Sequence, residues 1–137
     1  MSARCGGFTL VEMMVAVALA CLLAAMAWPA YEQSALKARR SDAVASLTRV
    51  QIAQEQFRAN NGSYSQRLSA LRGAGESRSP GGAYDIALHD AGLQSYSASA
   101  TARSDGPQAR DGECPRLVVT LHGGLAELGP TRRCWGP

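Results

Sequence analysis

The stretch Gly6-Gly7-Phe8-Thr9-Leu10-Val11-Glu12-Met13-Met14-Val15 decides how the rest of this 137-residue chain is read. It opens an apolar run, and between Glu12 and Glu32 the 19 residues from Met13 to Tyr31 carry no charge. About 20 apolar residues, each rising about 1.5 Å, span a hydrocarbon core of about 30 Å, so the run reads as a transmembrane helix. A cleaved secretory signal would need small residues after the run, and Trp28 in Met26-Ala27-Trp28-Pro29-Ala30 fits that poorly. Glu12 is the anomaly, because burying a carboxylate in a bilayer costs roughly 3 kcal/mol on insertion scales. Unless it snorkels to the interface, an acid there marks a functional position with a partner to be named.

The glycine, aromatic residue, acid and uninterrupted apolar run of that stretch together resemble the processing signal of type IV pilins and pseudopilins, the class III leader of a prepilin. The resemblance implies that a prepilin peptidase cuts after Gly7 and methylates the new amino terminus, Phe8. Glu12 then stands in the place of the family's assembly glutamate. The freed α-amino group would meet Glu12 of a neighbouring subunit, a heterologous contact that need not close and so generates an open filament. Losing one partner would leave the other charge buried, at about 3 to 5 kcal/mol. Ala20-Cys21-Leu22-Leu23-Ala24-Ala25-Met26-Ala27-Trp28-Pro29-Ala30-Tyr31 continues the likeness. Pro29 removes an intrahelical hydrogen bond and is expected to kink the helix. Cys21 stands where many pilins have glycine, and packs as a small apolar side chain.

Beyond Pro29, Leu36, Ala43, Val50 and Phe57 recur every seven residues with Leu47 between them, while Arg39, Asp42, Arg49 and Arg58 fall elsewhere. That is the apolar stripe of an amphipathic helix, ending at Asn60-Asn61-Gly62, where Asn and Gly suit a left-handed cap. Phe8 to Asn60 thus reads as one helix. Residues 61–83 read as a connecting loop with a short helical turn at Gln66 to Leu71. Asn61-Gly62-Ser63 is a glycosylation sequon better read as that cap or turn. Tyr84 to Leu88, Tyr96 to Ala102 and Arg116 to His122 read as strands, and Gly123-Gly124 as a hairpin turn toward Leu125 to Leu128. The expected fold is α+β, the type IV pilin fold: a long amino-terminal helix packed on three or four antiparallel strands. The divisions are a leader (1–7), a transmembrane and fibre-core helix (8–31), an amphipathic helix half (32–60), the loop (61–83), and the sheet with its C-terminal loop (84–137).

Composition adds limits. With 46% hydrophobic but 6% aromatic residues, the chain makes one lean domain at most, too small for a multidomain enzyme. A formal charge of +3 does not by itself indicate nucleic acid. Its distribution says more. Residues 37–83 hold eight Lys+Arg against three acids, net +5, whereas residues 84–137 hold five against six, net −1. A basic patch therefore belongs to the helix and its loop, with Arg132 and Arg133 a small addition near the C-terminus. His89 and His122 lack an obvious nucleophile partner, so no catalysis and no cofactor are expected.

Of four cysteines, Cys5 leaves with the leader and Cys21 lies in the membrane, so an exported domain keeps Cys114 and Cys134. Two cysteines in a small extracytoplasmic domain read as one disulfide. A metal site using them with His122 has no supporting spacing. Cys114-Pro115-Arg116-Leu117 through Cys134-Trp135 resembles the cysteine loop of PilE-type minor pilins. The resemblance implies a structural minor subunit of a type IV pilus serving biogenesis, adhesion or twitching motility. Its partners would be prepilin peptidase, other pilin subunits, the inner-membrane assembly platform, and membrane lipid before assembly. A DNA-uptake or adhesin role, with Arg132 and Arg133 contacting the ligand, is the alternative. A type II secretion pseudopilin is a third reading, disfavoured by the cysteine loop. Lys37, Arg39 and Arg40 follow the span and Arg4 alone precedes it, which under the positive-inside rule would leave the domain in the cytoplasm. The leader and cysteine pair instead imply a periplasmic domain on an inner-membrane precursor, later part of an extracellular fibre.

Overall fold

A computed structural model describes residues 8–136. The expected leader, with Cys5 and Gly7, lies outside the described residues. Helix α1 runs Leu10–Asn61 and continues through Pro29. It belongs to two compact units, one reaching Ala35 and one beginning at Leu36.

In the first unit the apolar side chains of α1, from Leu10 to Trp28 and Tyr31, face outward without internal partners. Length and composition make α1 a helix able to cross a membrane.

The second unit has its own core. The stripe expected from the sequence is there: Ala43, Leu47 and Val50 are fully buried, and Leu36 and Phe57 are half-buried. α1 ends where Gly62 takes φ +76°, a left-handed conformation that glycine adopts freely, and its N–H donates to the Arg58 carbonyl at 2.8 Å. A single 3₁₀ turn, Leu68–Ala70, stands in the connecting loop.

Four strands follow, β1 (Tyr84–His89), β2 (Ser95–Ala102), β3 (Arg116–His122) and β4 (Leu125–Gly129). They pair antiparallel in the order β1-β2-β3-β4, so each connection joins neighbours. Gly123 and Gly124 both have positive φ, as a tight two-residue hairpin turn requires. The register places Ile86, Ala100 and Leu117 in one row and Leu88, Ala98, Val119 and Leu128 in the next. Alanines on the middle strand leave room for α1, and Tyr84 and Tyr96 fill the ends of the layer. The opposite face carries Thr101, Ser97, Thr120, His89 and Arg116, polar side chains that suit solvent. Cys114 and Cys134 form the expected disulfide, with Cα atoms 5.7 Å apart.

Candidate functional site

At the start of α1, the Glu12 N–H donates to Thr9 Oγ1 at 3.2 Å. Thr9 therefore caps the helix, and Thr9-Leu10-Val11-Glu12 has the spacing of a capping box. Phe8 is exposed next to this cap, and Pro29 sits inside α1.

The loops of the second unit are held by buried polar groups that sequence reading did not single out. Arg40 donates from Nε to Asp111 Oδ2 at 2.6 Å and from Nη2 to Oδ1 at 2.5 Å, joining α1 to the long β2–β3 connection. Gln108 Nε2 adds a bond to Oδ2 at 2.7 Å, and the Cys114 N–H one to Oδ1 at 3.1 Å. Burial pushes the Asp111 carboxyl up, but the guanidinium and the other donors outweigh it and hold its pKa below the ordinary value. Gln54, fully buried, both donates to the Ser65 carbonyl and accepts from the Ser65 N–H, each at 2.8 Å. Its amide satisfies a loop residue as a neighbouring strand would. Tyr64 ties the same loop to the sheet, its ring 4.8 Å from that of Tyr96 and its N–H bonded to the Gly92 carbonyl.

These contacts reapportion the positive charge counted in the sequence. Arg40 is neutralised by Asp111, Arg58 stacks on the Tyr64 ring and bonds its hydroxyl, and Arg103 pairs with Asp105. Arg78 lies 3.5 Å from Asp85 in an exposed contact. Lys37, Arg49, Arg67, Arg72, Arg132 and Arg133 remain exposed.

Two surface depressions take up some of these cations. Arg49 and Arg78 line a polar depression of about 440 Å³ between α1 and the connecting loop, with Ser46, Ser79 and the acid Glu76. Arg67 and Arg72 are on the same connecting loop, flanking the 3₁₀ turn. Lys37 and Arg133 instead line a second groove, with Val44, Ala45 and Trp135. At about 100° per residue, Ser46 and Val44 point about 200° apart around α1, so the grooves flank opposite sides of the helix. Arg132 and Arg133 stand in a terminal 3₁₀ turn, Arg132–Cys134, and the geometry does not join them to the connecting-loop cations.

Comparison with known families agrees with the architecture. Residues 2–28 match the prokaryotic N-terminal methylation motif. Residues 29–118 match the family described as type IV minor pilin ComP, DNA uptake sequence receptor. The PilE character drawn from the cysteine loop has no support from these matches, and Cys134, Arg132 and Arg133 lie beyond the second one. No curated protein matches the chain. With its methylation motif, long apolar helix, four-stranded antiparallel sheet and stapled C-terminus, the chain belongs to the ComP family of type IV minor pilins.

Proposed function

We propose that this minor pilin is a DNA receptor whose duplex-binding face is the connecting loop and the adjoining flank of α1. The observation that carries the reading is a coincidence of two ranges. The segment that is net +5, residues 37–83, lies wholly inside the stretch matching a family named for DNA uptake. Arg49, Arg67 and Arg72 project from it without an acidic partner among the described residues, as phosphate contacts require. Gln54 and Tyr64 hold the loop that carries two of them.

In this reading the chain is cleaved after Gly7 by prepilin peptidase, spans the inner membrane through residues 8–31 with its domain in the periplasm, and enters the fibre beside other pilin subunits. The Phe8 α-amino group and Glu12 supply the head-to-tail contact. The test is retardation of duplex DNA by the processed chain in detergent. Affinity should fall steeply with salt, and should drop in Arg49→Glu/Arg72→Glu with a shallower salt slope. If Arg132→Glu/Arg133→Glu alone abolishes binding, the face lies at the C-terminus instead. Absence of retardation at low salt sinks the reading.

A further inference from the structure

We propose that the groove between α1 and the C-terminal tail binds the headgroup of an anionic phospholipid. Its floor is apolar, made by Ala38, Val44, Ala45 and Trp135, and its volume is about 400 Å³. The exposed cations Lys37 and Arg133 stand along it. Arg40 also lines it, but its charge is paired with Asp111 through Nε and Nη2, with Glu113 Oε2 a further 3.4 Å from Nη2. The site thus offers two available positive charges over an apolar surface. A phosphodiester continuing into hydrocarbon has that chemistry, whereas a DNA duplex needs a longer row of cations.

Trp135 strengthens the assignment. Its indole N–H donates to the Gly129 carbonyl at 2.9 Å, and its neighbour Cys134 is tied to Cys114, so the ring is fixed in place. A half-buried tryptophan beside lysine and arginine is the composition of protein surfaces at membrane interfaces.

Chain length places the groove within reach of lipid. Lys37 stands six positions beyond Tyr31, the last of the uncharged run. At about 3.6 Å per residue fully extended, Lys37 cannot be more than about 22 Å from the end of that run. Glu32 is the one acid between residues 32 and 41. The cations that follow the span, which conflict with the positive-inside rule, thereby acquire other partners: Asp111 for Arg40, and lipid phosphate for Lys37.

The proposal rests on reading Met13 to Tyr31 as membrane-embedded, and the two tryptophans separate the two claims. The full chain is placed in phosphatidylcholine nanodiscs with and without phosphatidylglycerol, either lipid being brominated in turn. In Trp135→Phe, quenching of Trp28 reports insertion. In Trp28→Phe, Trp135 should be quenched by brominated phosphatidylglycerol and much less by brominated phosphatidylcholine at the same fraction. Adding Lys37→Gln and Arg133→Gln should lower the docked-to-undocked ratio roughly thirtyfold, since each surface cation is worth about a factor of five. These two residues are exposed, so the variants keep the core, and retention of the disulfide checks the fold. Equal quenching by both lipids, insensitivity to the two substitutions, or loss of quenching on adding inorganic phosphate or a DNA duplex would each overturn the proposal. An unquenched Trp28 would remove its premise as well.

Discussion

Arg40 and Asp111, 71 residues apart in sequence, meet in a two-pronged ion pair that is nearly closed to solvent. Removing one member strands the other, and breaking such a pair costs about 3 kcal/mol or more. Arg40→Ala and Asp111→Ala should therefore each lower the unfolding free energy by about 3 kcal/mol in denaturant titrations. The double variant should lose much less than the sum.

The same pair gives a pH signature. The folded-state pKa of Asp111 lies below its unfolded value, so the pair's contribution is fully present above about pH 4 and is lost as pH falls through the folded value. Stability measured from neutral pH downward should converge for wild type and Asp111→Asn below about pH 4, with the gap fully open above it. A gap that persists unchanged into strong acid would contradict the assignment.

Tyr96 supplies a test of the opposite sign. Its ring is buried against Tyr64, while its hydroxyl has no hydrogen-bond partner among the described residues. Tyr96→Phe should leave stability unchanged or raise it by about 1 kcal/mol, because a buried unpaired hydroxyl is unfavourable. Tyr96→Ala should cost about 3 to 5 kcal/mol through the cavity.

Tyr84 makes a claim at high pH. Burial foremost, with the Asp111 charge behind it, pushes its pKa up to about 12. A raised folded value means that stability holds below about pH 10, the unfolded value, and declines as pH rises through the folded one. Tyr84→Phe should flatten the decline between those limits in alkaline unfolding curves.

Glu12 is tested in cells. Glu12→Ala should abolish incorporation of the subunit into pili if the carboxylate meets a neighbour's α-amino group. Glu12→Gln can still take part in the Thr9 cap, so it separates the two roles. Incorporation retained by Gln but lost by Ala would assign Glu12 to capping.

Much of this was readable beforehand. Periodicity located Ala43, Leu47 and Val50, alternation located the strands to within a residue, and Gly123-Gly124 fixed the hairpin. Burial of Arg40 and Gln54 was not readable. Both lie on the helix face that the apolar stripe defines, but a polar side chain is buried only when its partner arrives, and those partners sit 71 and 11 residues away. The connection from Arg103 to Pro115 carries no periodic signal, so Asp111 and Gln108 stood out in no pattern. Charge counting failed in a related way. It treated all eight cations of residues 37–83 alike, whereas Arg40 and Arg58 are occupied inside the fold.

Gln54 has one further consequence. Because its amide replaces the backbone partner that Ser65 would otherwise find only in a sheet, the segment carrying Arg67 and Arg72 is moulded before any ligand arrives. Immobilising a long side chain or a loose loop typically takes about 0.5 to 1.5 kcal/mol from an association. A receptor cast in advance loses little of that, and its encounter with a polyanion is governed by docking and charge rather than by folding.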